Sequence, residues 1–427
     1  MQQVTRKKLS AGVNLTCVTT PKFKRAVLCV MLLLPLGGPD AALRACLPQL
    51  LRRGTAKLPD LRAIGQTLDE LYGARIEASV RKEGESLCIG FLADFIDEAY
   101  APGASGLTAG VIRLLADLLF DPYLQDGVFC QDYTAGEREA LLDRIAAQKN
   151  DPRAWAPKRL IELMCAGEAY GQSVLGTASQ AEQITENKLY TAYRRALDEA
   201  QIELFYCGTM APDAVERLFA QTPLTQPRNG ALYQPQTQII AQPAGAPREV
   251  VEPEQVTQGK LSLGLRTGGS CLTGGDPVAY WLLTTLYGGS TSAKLFLNVR
   301  EKKSLCYYAS AQFIASKGIL MVSSGIENKD FETARDEILR QLDACRAGDI
   351  TDAEIESARK TLVNGWRAML DDPLTLERYW LGQAAAGTMV SPEERIAQAA
   401  QVDRTRIVSA AQATALDTIY FMKGAAE

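Results

Sequence analysis

The sequence predicts an α+β fold of two homologous domains from an internal duplication, each an antiparallel sheet packed against helices. The chain has 427 residues, which is too many for one ordinary core. The same order of strand, glycine turn, Leu-rich helix and further strands occurs in both halves, and a proline-rich segment separates them. We therefore predict an N-terminal domain over 1–221, a linker over 222–246 and a C-terminal domain over 247–427.

The first half begins with two predicted strands. Val13, Leu15 and Cys17 alternate with polar residues, which is typical of a half-buried strand. The apolar run 26–36 follows three basic residues and resembles a signal peptide, but it is too short to span a bilayer and contains Pro35. We interpret it as a buried central strand.

The later elements of the two halves correspond one by one. A helix and two strands follow the first glycine turn, and a helix capped by Asp276 follows the second. An Asp-Pro pair marks a helix junction in each half, and an apolar strand closes each half. The matched features are Gly37-Gly38 with Gly268-Gly269, Asp151-Pro152 with Asp372-Pro373, and the strands 202–208 with 418–424.

Composition excludes several kinds of chemistry. The chain has no histidine, which removes Ser-His-Asp and Cys-His catalysis and every zinc motif that contains histidine. The formal net charge of -4 gives no reason to expect nucleic acid or a membrane as a partner. The ten cysteines form no Cys-x-x-Cys pair and mostly have apolar neighbours, so we expect a reduced, cytoplasmic protein.

Three segments carry a resemblance to a known family. They are the Leu-rich helix that ends at Gly54-Thr55, the acidic stretch 137–145 before Asn150-Asp151-Pro152, and the stretch 287–308. Together with the duplication they resemble the insulinase/pitrilysin metallopeptidases over essentially the whole chain. In active members, the resemblance implies, a His-x-x-Glu-His helix and a later glutamate hold a catalytic zinc ion.

The resemblance also implies that this chain has lost that zinc site. The two histidines and the general base fall on Ala45, Gln49 and Pro48, counted back from Gly54-Thr55. Glu137 matches an acidic residue of the later helix, but the zinc-ligand position falls on Arg144. A shift of one residue would place Asp143 there, and one carboxylate does not make a zinc site. We expect no metal and no catalytic residue in this chain.

In the second half, Arg300 and Tyr307 have the spacing of an Arg and a Tyr that contact the scissile peptide in active relatives. A guanidinium can donate to a peptide carbonyl and a phenol to an oxyanion. Purely structural roles are the alternative, because a cation suits a helix C-terminus and Tyr suits a strand. Tyr308 is the alternative to Tyr307.

The turn at Gly288 and Gly289 is a second candidate for substrate binding. A glycine pair permits backbone conformations that other residues rarely adopt, and it lets a substrate strand come close. The related loop in zinc-less processing-peptidase subunits is longer, and a plain turn before the next helix is the alternative.

The resemblance implies the non-catalytic subunit of a heterodimeric metallopeptidase. The expected partner is an active homologue with an intact His-x-x-Glu-His that holds the zinc and cleaves peptides, while this chain supplies Arg300 and Tyr307 in trans. The alternatives are an inactive scaffold or peptide-binding core protein, and an independent enzyme that uses Cys306. A homodimer is left open for the chain alone, and the sequence does not predict which peptide is bound.

Overall fold

A computed structural model describes residues 2–226, 228 and 230–424, so residues 227 and 229 of the predicted linker lie outside it. The chain divides into two compact units. The first unit comprises residues 2–146, 172–236 and 371–385, and the second comprises 147–171, 237–370 and 386–424. Each unit contains one large sheet with helices packed on it.

Strands of the first unit form a six-stranded sheet and a short two-stranded ribbon. In chain order they are β1 (Gln3–Ser10), β2 (Val13–Thr19), β3 (Arg25–Pro35), β4 (Arg75–Glu83), β5 (Ser86–Ile96), β6 (Leu124–Gln125), β7 (Val128–Phe129) and β8 (Gln201–Gly208). The large sheet has the order β1-β2-β8-β3-β5-β4, with β2 and β8 parallel and all other neighbours antiparallel. The prediction for the apolar run 26–36 is confirmed, because β3 is an inner strand and is buried along most of its length.

The second unit repeats this topology. Its strands are β9 (Arg248–Glu254), β10 (Gly259–Arg266), β11 (Tyr308–Ile314), β12 (Ile319–Ile326) and β13 (Ala415–Gly424). The sheet order β11-β12-β10-β13-β9 matches β4-β5-β3-β8-β2, and the parallel pair β9 and β13 matches β2 and β8. The predicted α+β fold with two duplicated domains is confirmed.

The helices also follow in matching order. Those of the first half are α1 (Ala41–Leu51), α2 (Leu61–Glu70), α3 (Leu107–Phe120), α4 (Gln131–Ala147), α5 (Pro152–Met164), α6 (Ala178–Glu182), α7 (Glu186–Glu199) and α8 (Pro212–Ala220). Those of the second half are α9 (Pro277–Gly288), α10 (Phe331–Ala347), α11 (Asp352–Met369), α12 (Pro373–Ala385), α13 (Pro392–Ala400) and α14 (Arg404–Ala413). A π-helix (Leu295–Lys302) lies between α9 and β11.

The two Asp-Pro helices belong to the compact unit of the opposite sequence half. Helix α5 packs on β10 and β13, and α12 packs on β3 and β8. Each begins at its Asp-Pro pair, where the sequence predicted a helix junction: Asp151 accepts hydrogen bonds from backbone N–H groups of α5, and Asp372 does so for α12. Compact units and sequence halves therefore differ at residues 147–171 and 371–385.

All ten cysteines are buried and unpaired in the structure. Burial raises the pKa of several of these thiols, for example to about 12 for Cys17 and Cys46. They therefore behave as small apolar side chains. Within the described residues, no helix is long and apolar enough to cross a membrane.

Candidate functional site

The helix to which the family resemblance assigns the zinc-binding motif is α1, and its inner face is packed into the core of the first unit. Ala45 and Pro48 are buried, and Gln49 is half-buried. Pro48 lies inside the helix, where it has no N–H to donate to the carbonyl of the preceding turn. The helix nevertheless continues, since the backbone N–H of Arg52 donates to the carbonyl of Pro48 at 3.1 Å. The positions expected to be degenerate are thus apolar or amide-bearing.

Helix α4 is held against the C-terminal end of α1 by one ion pair. Nε of Arg53 donates to Oε1 of Glu137 at 2.7 Å, and Glu137 is buried. The Arg53 guanidinium also lies 5.8 Å from the ring centroid of Tyr133. The acidic position that active relatives share is therefore occupied by a structural ion pair.

Arg144 lies about two turns after Glu137 on α4, at the position that the family resemblance assigns to the later zinc ligand. Its Nε makes a long hydrogen bond of 3.3 Å to the carbonyl of Ala140, and Nη2 is buried without a hydrogen-bond partner in the described residues. The pKa of Cys46 is raised to about 12, mainly by burial and in smaller part by Glu137, while Arg144 opposes the rise. Both side chains therefore lie near Cys46 of α1, while Asp143 is exposed.

These residues do not fit a zinc ion. A catalytic zinc site needs about three protein ligands, usually histidine together with a carboxylate. The α1–α4 region offers an alanine, a proline, a glutamine and a guanidinium, and the last would repel a metal cation. In the part of the chain that the structure describes, no three His, Cys, Asp or Glu side chains are grouped so that they could hold a metal ion.

Arg300 lies in the last turn of the π-helix Leu295–Lys302 and is exposed. Its guanidinium lies 4.7 Å from the ring centroid of Phe296, and its Nε is 3.5 Å from a carboxylate oxygen of Glu301. The pKa of the Cys306 thiol is raised by burial and lowered to a smaller extent by Ser324 and Arg300. Arg300 therefore lies in the neighbourhood of residue 306, and Cys306 is a poor nucleophile.

Tyr307 precedes β11 and is 63% exposed. Its backbone N–H donates to the carbonyl of Gly325 at 2.9 Å, and its phenol donates to Oε1 of Glu327 at 3.0 Å. The hydrogen bond to Glu327 raises the pKa of Tyr307, which keeps the phenol protonated. Tyr308 is half-buried beneath the guanidinium of Arg153 at 4.2 Å, so Tyr307 is the more accessible phenol. Within the described chain, Arg300 and Tyr307 do not hydrogen-bond each other.

The glycine pair does not have the backbone conformation that the sequence suggested. Gly288 ends α9 and Gly289 caps it with φ of −94°, and neither has a positive φ. A Cβ on Gly288 would lie 2.7 Å from the backbone nitrogen of Ala311, and a Cβ on Gly289 would lie 2.7 Å from Cα of Thr285. Close packing therefore explains both glycines. The expectation that they adopt a backbone conformation that other residues rarely adopt is wrong.

Sequence reasoning did not find a buried charged cluster in the second unit. Glu168 pairs with Arg266 at 2.7 Å and with Lys317 at 2.6 Å, and Arg266 pairs with Asp417 at 2.9 Å. Burial would raise the pKa of Glu168, but the hydrogen bonds from both cations outweigh it and the pKa is lowered. The charges balance, which indicates a structural role. Glu327 was missed as well, because it lies 20 residues beyond Tyr307 and meets it only through the pairing of β11 with β12.

Comparisons with known proteins agree with this fold. Residues 183–362 match the family described as "Peptidase M16 inactive domain". The chain is 34% identical over 418 residues to the "Probable inactive metalloprotease YmfF" of Bacillus subtilis, covering 98% of this chain and 97% of that protein. A conserved protein from Enterococcus faecalis superimposes with a TM-score of 0.88 at 27% identity, over 99% of both chains. An M16 inactive-domain structure from Pseudomonas fluorescens gives 0.78 at 17% identity, also over 99% of both chains.

The fold is a duplicated sheet with packed helices, and the two helices to which the resemblance assigns the zinc site lack zinc ligands. This combination indicates a non-catalytic homologue of zinc metallopeptidases. The similarity over the whole chain makes the family specific: this chain belongs to the M16 family, the insulinase/pitrilysin metallopeptidases.

Proposed function

We propose that this chain is the non-catalytic subunit of a heterodimeric M16 metallopeptidase. In this proposal, a homologous partner with His-x-x-Glu-His holds the zinc ion and cleaves unstructured peptides in the cytoplasm. This chain helps to enclose the substrate and presents Arg300 and Tyr307 to it, while Gly288 and Gly289 position the segment that carries Arg300.

One contrast carries the proposal. The ligand positions on α1 and α4 are apolar or cationic, whereas Arg300 and Tyr307 remain exposed and keep their donor groups. An accessible guanidinium and an accessible phenol can still donate to a bound peptide, whereas the positions on α1 and α4 offer no set of metal ligands. Arg300 offers a planar set of donors that fits a peptide carbonyl, and Tyr307 remains a neutral donor because Glu327 raises its pKa.

The first experiment identifies the partner. We expect mass spectrometry of material co-purified from the native cells to find a homologue of similar size with an intact His-x-x-Glu-His. If the chain purifies alone, or within an assembly that contains no such peptidase, the heterodimer proposal is overturned.

The second experiment tests Arg300 in the reconstituted complex. Arg300→Ala should reduce kcat/KM for a quenched fluorescent peptide by roughly tenfold to a thousandfold, the range for loss of one transition-state donor. Arg367→Ala is a matched control, because Arg367 is another exposed arginine in the last turn of a helix, α11. Unchanged turnover with Arg300→Ala and an intact complex would favour the scaffold alternative.

A further inference from the structure

The first unit contains a polar cavity that the proposed function does not use. It lies between the start of α1 and the helices α6 and α7, and it is open to solvent. Its volume of about 450 Å³ is in the range of ligand pockets. Leu43 and Ala192 contribute apolar surface to it. The polar side chains around it include Asp40, Gln183, Asn187, Lys188 and Arg195.

One wall of this cavity is a stripe of side chains along α7. Asn187, Thr191 and Arg195 are spaced four residues apart, so they lie on the same side of the helix. The helix rises about 12 Å from the first of them to the last, which is the length of about four residues of extended peptide. The cavity therefore has the dimensions of a groove for a short extended segment.

The opposite wall is held in place by hydrogen bonds to the turn before α1. Nε2 of Gln180 donates to the carbonyl of Gly38 at 3.0 Å, and the backbone N–H of Gly38 donates to Oε1 of Gln172 at 3.0 Å. The side chain of Asp40 does not cap α1; it accepts from Nη1 of Arg195 at 2.7 Å and so bridges α1 to α7. The groove is thus formed before any ligand binds, which lowers the cost of binding.

Several groups along the groove are free to bind a ligand. The side-chain amides of Gln183 and Asn187 are exposed and have no hydrogen-bond partner within the described residues. Nζ of Lys188 donates to the backbone carbonyl of Gln183 at 3.2 Å, and no carboxylate of the described chain lies within ion-pair distance of it. A side-chain amide can both donate and accept, as the backbone of an extended peptide requires, while an ammonium group favours a carboxylate.

The charge of the groove favours an acidic ligand. Asp40 and Arg195 pair with each other, which leaves Lys188 as the unpaired charge among the lining residues. Glu199 lies 4.0 Å from Nε of Arg195 and does not line the cavity. A carboxylate that approaches Lys188 therefore meets no unpaired acidic side chain of the lining.

We propose that this groove binds an extended peptide segment that carries an acidic side chain. The amides of Gln183 and Asn187 hydrogen-bond to the backbone of the segment, and Lys188 pairs with its acidic side chain. Leu43 and Ala192 contact the apolar part of the segment. The backbone contacts supply affinity for any extended peptide, and Lys188 supplies the preference for an acidic one.

The test is a binding measurement on the full chain alone. A labelled peptide in which Glu and Ser alternate, with no charge at either end, is titrated by fluorescence anisotropy. The same peptide with Gln in place of Glu is titrated in parallel. The variants are Lys188→Met and Asn187→Ala. Arg194→Met is the matched control, because Arg194 is an exposed cation on the same helix that does not line the cavity.

We expect the wild-type chain and Arg194→Met to bind the Glu peptide about twofold to fivefold more tightly than the Gln peptide, the range for an exposed ion pair. Lys188→Met should abolish this preference. Asn187→Ala should weaken the binding of both peptides by about threefold to tenfold and leave the preference unchanged, because its amide contacts the backbone. Circular dichroism and a thermal melt check that each variant is folded.

The proposal is overturned if the Glu peptide does not bind at millimolar concentration, or if its affinity is the same in the wild-type chain and in folded Lys188→Met and Asn187→Ala. Binding that depends on Lys188 alone and is reproduced by sodium succinate would assign the groove to a small acid, and would also overturn the peptide proposal. Each of these outcomes leaves the heterodimer proposal intact, because that proposal is tested by Arg300→Ala in the complex with the active partner. Conversely, loss of the Arg300 effect leaves peptide binding in this groove untouched.

Discussion

Arg53 and Glu137 join the C-terminal end of α1 to the middle of α4, the two helices to which the family resemblance assigns a metal site. Nε of Arg53 donates to Oε1 of Glu137 at 2.7 Å, and the carboxylate side chain is only 9% exposed. An ion pair thus links the end of α1 to α4 in a protein in which these helices lack the residues for a zinc site. A bound metal ion contributes directly to the stability of the fold around it. Where the metal ligands are missing, contacts such as this ion pair hold the two helices together.

Glu137→Ala therefore should destabilise the first unit, because it leaves the partly buried Arg53 without its partner. We expect a loss of about 1–3 kcal/mol in the free energy of unfolding, less than for a fully buried pair because Arg53 is partly exposed. Urea unfolding followed by circular dichroism measures it. Lys57→Ala is the control: Lys57 pairs with Asp117 at 3.3 Å on the surface and should change stability by less than about 0.5 kcal/mol. Equal effects of the two variants would contradict the structural role of Glu137.

Glu168 should be the most sensitive charged residue of the second unit. It is buried between Arg266 and Lys317, and both cations are almost inaccessible to solvent. Glu168→Gln removes the charge that compensates them, and we expect a loss of about 3–5 kcal/mol. The measurement is the midpoint of urea or thermal unfolding. Arg404→Ala, which breaks an exposed pair with Asp352, should leave the midpoint nearly unchanged. A small effect of Glu168→Gln would mean that water replaces the lost charge.

The order of elements could be predicted from the sequence because apolar periodicity and turn residues are local signals. The start of α9 at Asp276 and the inner strand β3 were found in this way. The two outer strands β1 and β9 were not predicted. Each is rich in charged residues, so the alternation of apolar and polar residues that indicates a strand is weak.

Long-range packing accounts for what the sequence did not predict. The placement of α5 and α12 depends on tertiary contacts that leave no local signal in a contiguous sequence. The π-helix that carries Arg300 has ordinary helical composition, so its widened turns were also not predicted. In the candidate site, motif counting identified Arg144, but only the structure shows that one nitrogen of its guanidinium is buried without a partner.

Glu83 should make a contribution to the free energy of unfolding that decreases from weakly acidic to weakly alkaline pH. Burial is the main cause that raises its pKa to about 7, and Glu377 of α12 adds to it, while Arg81 and Arg378 oppose it. The folded chain therefore holds a proton that the unfolded chain releases near pH 4.3. The contribution of Glu83 to stability is fully present below about pH 4.3 and is lost as the pH rises through about 7.

The matched variants are Glu83→Gln and Glu77→Gln, on the same strand β4. At pH 8, Glu83→Gln should be more stable than the wild type by about 1–3 kcal/mol, and near pH 4.5 the two should be similar. Glu77 is exposed, so Glu77→Gln should follow the wild-type pH profile. Urea unfolding at several pH values gives the comparison. Parallel profiles for the wild type and Glu83→Gln would show that Glu83 titrates normally.

The phenol of Tyr307 provides a prediction that separates its chemistry from its packing. Tyr307 is exposed, so Tyr307→Phe should leave the thermal unfolding midpoint unchanged while it removes the O–H group that donates to Glu327. If the phenol donates to a substrate oxyanion in the complex, Tyr307→Phe should lower kcat/KM by roughly tenfold or more with assembly unchanged.

Glu327→Gln should bring the pKa of Tyr307 down toward its ordinary value of about 10, since the carboxylate that favours the protonated phenol is gone. NMR titration of the tyrosine ring measures this shift, and Tyr308→Phe is the control. A normal pKa in the wild type would show that the contact with Glu327 is absent in solution, and unchanged turnover of Tyr307→Phe would remove the phenol from the proposed function.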